Sequence, residues 1–391
     1  MGKHFYIHIP FCINKCQYCS FYSERPESDE VLLSYKNAVI KEIELTSRDK
    51  DMIETYASDE DMDTIYIGGG TPSVMPPEFL IEIIEAVSLN FGVDISKNTK
   101  TEITVEVNPF TADFNKLQVL RDGGFNRISI GVQSLDEGVL KTLGRLHDSN
   151  TAVNTILNAK KAGFTNISAD LIIGVPGETL EGVIKDTKTL INLGVTHLSS
   201  YSLSIEEGTP FYTKYKNLYE FVDEDLERQM YHGLRSSLSE AGFIDYEISN
   251  SSLPGFESRH NGCYWKGSEY YAFGAGSHGY VNSKRFAHDD NYRSYIDKMS
   301  KPDVLLKDIC KIEECLSTED KMREYMMLAF RTKKGVDFDF FSRKFNENAQ
   351  KLFESELKIL QEKGLIARVD GHFAATQKGL DFANIIFEEF V

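Results

Sequence analysis

Six apolar, β-branched runs recur along the first half of the chain, each leaving into a glycine-rich or polar exit: residues 5–10, 64–70, 102–109, 127–134, 166–177 and 197–208. Between them the apolar positions shift to helical spacing, over 30–47, 78–90, 113–122, 149–162 and 179–193, and again at 222–241 after the sixth run. Strand and helix in alternation predict a parallel sheet with right-handed crossovers, either an open barrel or a doubly wound sheet. The barrel is preferred. In barrels the chemistry gathers at the carboxyl ends of strands, and a cysteine loop, a GGGTP run, Glu106, Gln133 and Asp170 all fall at or near such ends.

Past Phe243 the pattern changes. A short FIDYEIS run leads into SRHNGCYWKGSEYYAFGAGSHGY, rich in aromatics, Gly and His, which reads as a lid or edge extension. From about Leu316 helical spacing returns, followed by two short β-like runs around Asp370 and Gly371 and a last helix, the order of a winged helix. Ser317 with Asp320, and Asp337, are expected at helix starts. The chain therefore divides at 1–242, 243–315 and 316–391. The charged stretch 47–63 reads as loop.

At 391 residues and 41% hydrophobic content the chain suits one barrel-sized domain plus a smaller one. No apolar run reaches the roughly 18 residues of a membrane span, and the start lacks the apolar core of an export signal, so a cytoplasmic location is expected. A formal charge of -17 opposes binding to a phosphate backbone. Over 316–391 twelve Lys and Arg face thirteen Asp and Glu, so the winged-helix-like end reads as a packing or docking module and no nucleic-acid partner is expected.

Cys12, Cys16 and Cys19 form CxxxCxxC directly after the first apolar run. This spacing suits a 4Fe-4S cluster held by three corners, leaving one iron able to bind a second molecule. The alternatives are a zinc knuckle or buried thiols. Structural zinc wants four ligands, no second Cys pair is present, and His4 and His8 lie on the strand-like run rather than at knuckle spacing. Cys263, Cys310 and Cys315 are scattered and read as ordinary thiols. Gly68, Gly69 and Gly70, with Thr71 and Pro72, let the backbone approach a small ligand and permit positive φ, although a glycine-rich strand exit is more often only a turn.

CxxxCxxC with Tyr18 before the last cysteine, then GGGTP after the next strand, resembles the radical S-adenosylmethionine (SAM) superfamily. More narrowly, the blocks YIHIPFC, GGGTPS, EVNP, RISIGVQS, LGRLH, DLIIGVPGET, YSLSIEEGT, RHNGCYW and FGAGSHG resemble the oxygen-independent coproporphyrinogen III oxidase-like family and, within it, the HemW heme chaperones. The resemblance implies a partial (β/α)6 barrel with a C-terminal helical, winged-helix-like domain. It implies that Cys12, Cys16 and Cys19 hold the cluster, that SAM chelates the open iron, and that an electron can then cleave the sulfonium. Tyr6, Tyr18, Gly69, Gly70, Thr71, Glu106, Gln133, Arg145 and Asp170 match positions expected to line the SAM site. As chemistry the roles fit, since carboxylates accept from amino and hydroxyl groups and Arg145 can fork onto a carboxylate; a structural ion pair is the plainer alternative for each.

Two departures separate this chain from the oxidases of that family. Where they carry a further Cys two residues after the third, this chain has Phe21, and its first strand begins by Phe5 where they carry an N-terminal extension. His260, Asn261, Tyr264 and Trp265 form HNxxYW, which resembles a heme-chaperone signature associated with heme; imidazole ligates heme iron and aromatic rings line porphyrin faces. A hydrogen-bonded His and a core Trp are the alternatives, and His278 is a second candidate ligand. The expected function is a heme chaperone that transfers heme to an acceptor hemoprotein, respiratory and membrane-associated, with peripheral contact to the membrane during delivery, an external electron donor, and a monomer or weak homodimer. The competing readings are oxidative decarboxylation of coproporphyrinogen III and radical SAM chemistry on another substrate.

Overall fold

A computed structural model of the protein describes residues 2–53, 62–97, 99–217, 220 and 222–391. All six predicted strands are present: β1 (His4–Ile9), β2 (Thr64–Gly69), β3 (Glu102–Val107), β4 (Arg127–Gln133), β5 (Asn166–Ile173) and β6 (His197–Ser202). They pair in parallel, in sequence order. The crossover helices are Asp29–Thr46, Pro77–Phe91, Phe114–Asp122, Ser149–Lys161 and Leu180–Leu193, with Glu224–Glu240 after β6. Their starts carry side-chain caps where the sequence supplies one: Asp113, Asp148, Thr179 and Asp223 each accept a backbone N–H of the first turn. The helices ending at Phe91 and Leu193 stop at Gly92 and Gly194, both in the left-handed region that favours glycine.

Alternation along the strands explains the layering. Phe5, Ile7 and Ile9, Ile65 and Ile67, Ile103 and Val105, Ile128 and Ile130, and Ala169, Leu171 and Ile173 belong to one buried apolar core shared with the helices. Each large aliphatic side chain taken from water contributes about 1.5–3 kcal/mol. The intervening positions, Glu106, Arg127, Ser129, Gln133 and Asp170 among them, line a cavity on the opposite face. Period two thus separates core from site.

Of the two readings of 243–315, lid or edge extension, the strands observed are those of an edge. β7 (Ile244–Asp245) and β8 (Asn250–Ser252) add antiparallel strands beyond β6, whereas β9 (Tyr271–Phe273) lies beside β1 at the far edge, giving the sheet order β7-β8-β6-β5-β4-β3-β2-β1-β9. Both edges of the open barrel are therefore supplied by this one segment. It also forms a separate antiparallel sheet of β10 (His278–Val281), β11 (Lys284–His288) and β12 (Cys310–Cys315). RHNGCYW is a helix, Arg259–Trp265, because Ser258 accepts the amide of Asn261 and the Glu102 carboxylate accepts the amides of Arg259 and His260, each at 3.0 Å.

The C-terminal part has its own core, including Tyr325, Met326, Phe330, Phe341, Phe353 and Leu360. Ser317 and Asp337 cap the helices Thr318–Ala329 and Phe338–Phe345, as expected, and the hairpin of β13 (Ile366–Val369) and β14 (His372–Ala375) follows Glu354–Glu362. Of the stretch 47–63, residues 50–53 form a helical turn and 54–61 lie outside the described residues. No helix among the described residues is long and apolar enough to cross a membrane.

Candidate functional site

A cavity of about 540 Å³ opens at the carboxyl ends of the parallel strands. That volume falls within the roughly 300–1,000 Å³ range of small-molecule and cofactor sites. Cys12, Cys16 and Cys19 all line it. Their loop is closed at its base by backbone bonds from Cys12 N–H to the Glu24 carbonyl (3.0 Å) and from Glu24 N–H to the Pro10 carbonyl (2.9 Å). It is pinned midway, where Gln17 N–H donates to the Leu143 carbonyl and Phe211 N–H donates to the Gln17 carbonyl. Leu143 ends a helix the sequence pattern did not reveal, Glu137–Leu143, and Gly144 at φ +74° turns the chain so that Arg145 reaches the cysteines. Arg145 donates from Nη1 to Cys16 Sγ (3.3 Å) and from Nη2 to the Gly131 carbonyl (2.7 Å).

Among the described residues, no three His, Cys, Asp or Glu side chains converge tightly enough to hold one metal ion. The three sulfurs instead share a cavity wall with Gly69, Gly70 and Thr71, and Thr71 Oγ1 lies 3.3 Å from Cys12 Sγ. Burial pushes the Cys12 and Cys19 thiols up, partly offset at Cys12 by hydrogen bonds from Thr71 and Ser23. Metal binding would supply the missing drive to deprotonation. The glycines leave no slack: a Cβ on Gly70 would sit 2.9 Å from the Phe11 carbonyl oxygen, and one on Gly69, at φ +110°, would meet the His8 ring at 2.6 Å. A soft three-thiol donor set, a cationic neighbour and a backbone floor without side chains fit a cluster with a small ligand beside it.

Polar side chains stand among the apolar ones in the walls. Glu106 accepts from Tyr66 OH (2.6 Å) and Gly69 N–H (3.2 Å), and burial, reinforced by the Asp170 charge, pushes its carboxyl up to about 7 against those bonds. Asp170 accepts from Ser129 Oγ at 3.1 and 3.2 Å, and its carboxyl is likewise raised by burial. These two acids can accept from amino or hydroxyl groups of a ligand. Gln133 ends β4 at φ +67°, an uncommon conformation for a residue with a Cβ, and faces the same space.

Of the residues expected to contact SAM, Tyr18, Gly69, Gly70, Thr71, Glu106, Gln133, Arg145 and Asp170 line this cavity together. Tyr6 does not. Its hydroxyl is hydrogen-bonded to His8 Nδ1 (2.9 Å) and its ring stacks on Tyr66, one layer behind the wall. Tyr66, Arg127, Ser129 and Ser199 line the cavity without having been singled out from sequence. The signal was available for β4, whose alternate residues 127, 129, 131 and 133 all face the cavity.

HNxxYW splits. Asn261 reaches the cavity, whereas His260 is 1% exposed, with Nδ1 hydrogen-bonded to Thr64 Oγ1 and Nε2 to Tyr264 OH, both at 2.8 Å. Its ring stacks on Tyr66 at 5.1 Å. Burial, with the charges of His4 and Arg127, holds the imidazole well below its ordinary pKa, hence neutral. Trp265, half-buried, packs under the Arg331 guanidinium (4.5 Å). His278 is exposed and lies 3.5 Å from Glu313.

The Radical SAM superfamily model matches residues 6–190, and the HemN C-terminal domain model matches 316–382. The chain is 34% identical to the heme chaperone HemW of Bacillus subtilis, covering 100% of this chain and 99% of that one. It is 33% identical to the heme chaperone HemW of Lactococcus lactis, covering 99% and 96%. The solved coproporphyrinogen III oxidase (HemN) from Escherichia coli, a radical SAM enzyme, superposes with a TM-score of 0.80 over 100% of this chain and 90% of that one. At 19% identity that likeness speaks to the fold alone. Cysteine loop, glycine floor and full-length kinship together establish that the chain belongs to the HemW family of the radical SAM superfamily.

Proposed function

We propose that the chain is a heme chaperone, binding heme together with a 4Fe-4S cluster and SAM and passing the heme to an acceptor hemoprotein. The observation that carries this reading is the end-to-end similarity to proteins named heme chaperones, against a likeness to the oxidase that is confined to fold. Phe21, where a further cysteine stands in the oxidases, supports the same side.

Cys12, Cys16 and Cys19 would hold the cluster, with Arg145 donating to the Cys16 sulfur. When bound, the cluster supplies an electron and an open coordination site for SAM. Gly69 and Gly70 give the cofactor backbone to lie against. Glu106, Gln133 and Asp170 orient its polar groups, and the Tyr66 hydroxyl, in the same wall, fixes the Glu106 carboxylate. Heme enters on the side where Asn261 meets the cavity, and His260 sets that edge through Thr64 and Tyr264. Delivery takes place from the cytoplasm, with transient contact at a membrane that houses a respiratory acceptor, by a monomer or weak homodimer.

Anaerobically reconstituted protein is expected to bind heme stoichiometrically and to restore the Soret spectrum of an apo-hemoprotein, while converting no coproporphyrinogen III. Turnover of coproporphyrinogen at the rate of an oxidase, without heme transfer, would replace this reading with the enzymatic one.

A further inference from the structure

Two arginines line the cavity, at opposite depths. Arg145 stands at the cysteine end, engaged by Cys16 and the Gly131 carbonyl. Arg127 opens β4, six residues before Gln133, so it lies roughly 20 Å down an extended strand at about 3.3 Å per residue. It is the floor. Its side chain is among the largest fully buried in the molecule, 2% exposed, yet it lines the cavity and its Nε has no hydrogen-bond partner.

The neighbouring acids have other work. Both oxygens of Glu102 take backbone amides of the Arg259–Trp265 helix, Asp170 accepts from Ser129, and Glu106 accepts from Tyr66 and Gly69. They balance the Arg127 charge at a distance but leave its fork unfilled. Its terminal nitrogens, on the cavity side, make no hydrogen bond or ion pair with the described residues; a guanidinium so left is costly, and a ligand oxyanion arriving along the cavity would remove that cost. Carboxylate is the matching group, planar and able to accept two parallel N–H donors.

We propose that Arg127 is the anion-recognition residue at the floor of the cavity and takes a carboxylate of the bound ligand, which, on the heme reading above, is a porphyrin propionate. SAM also carries a carboxylate, so the test separates the two sources. Affinities for heme, for heme dimethyl ester and for SAM are measured on the anaerobically reconstituted full chain, as wild type, Arg127→Gln and Arg127→Lys. Wild type is expected to bind heme at least about tenfold more tightly than the diester, the scale of a charge-assisted hydrogen bond. Arg127→Gln loses that preference and binds SAM as wild type does; Arg127→Lys, keeping charge without the fork, falls between. Should the Gln variant not fold, the Lys variant carries the comparison.

Equal wild-type affinity for heme and its diester overturns the proposal, as does a substituted chain that keeps the full preference. Loss of SAM binding with heme binding intact also overturns it, assigning Arg127 to the cofactor. A wild type that binds neither porphyrin fails the heme reading itself, an outcome distinct from heme binding that ignores the propionates.

Discussion

Single side chains in this site do work their type alone does not announce. Cys16 is the cysteine reached by Arg145, so Cys16→Ser should abolish the charge-transfer absorption of the reconstituted cluster while the far-UV circular dichroism remains that of the wild type. An unchanged absorption spectrum would remove the loop from cluster binding. His260 is the instructive case. Its residue type and motif suggest iron ligation, yet both ring nitrogens are spent on Thr64 and Tyr264. His260→Ala leaves those hydroxyls short of a buried partner and unstacks Tyr66, a loss of about 2–4 kcal/mol in global stability on the scale of unsatisfied buried groups. Denaturant titration reads that loss, and heme titration reads a parallel weakening with the cluster retained. Undiminished heme affinity would dismiss the residue from the heme site. The HNxxYW motif singles out His260, but only the packed structure says what its nitrogens touch.

Elements were more legible than the residues at their ends. The six strands follow from apolar β-branched runs whose alternate positions are buried against helices, and local propensity and burial agree there. The short helices Glu137–Leu143 and Arg259–Trp265 were not legible, because two turns give too little periodicity. Tertiary partners hold the second of them, the Glu102 carboxylate at its start and Lys344 Nζ on the carbonyls of Lys266 and Gly267 just past its end. At the exit of β2 the constraint is steric. Gly69→Ala places a Cβ at φ +110° against the His8 ring, so the β2 exit must shift. The variant is expected to lose about 1–3 kcal/mol, the usual cost of a strained backbone position, and to reconstitute less than half the wild-type iron content under identical conditions. Iron and sulfide analysis with a thermal melt checks both.

The whole molecule is tied together by contacts distant in sequence. Glu42, on the first helix, is buried with His288 of β11 at 2.6 Å and also accepts from Tyr295 and the amide of Gly274. Burial works against charge on His288, and the Glu42 carboxylate outweighs it, so the folded imidazole titrates above its ordinary value. The sign follows: stability from this pair is fully present below an unfolded pKa of about 6.5 and is lost as pH rises through the folded one. Denaturation midpoints should therefore fall from neutral pH upward in wild type and fall less in His288→Gln, and parallel profiles would exclude the pair as the cause. Arg331, in the C-terminal part, reaches back to the 243–315 segment, lying over Trp265 and 3.7 Å from Glu247.

From sequence alone came the alternating strands and helices, the winged-helix order at the end and the three cysteines, because local periodicity and spacing encode what neighbours along the chain must do; the other cavity-lining residues it named rested on family resemblance. The order of the strands at the sheet edges, the burial of His260 and the unpartnered fork of the buried Arg127 were settled only by the tertiary structure. Each depends on groups tens to hundreds of residues apart being packed together, and burial, which sets the energy of every polar contact here, exists only after that packing.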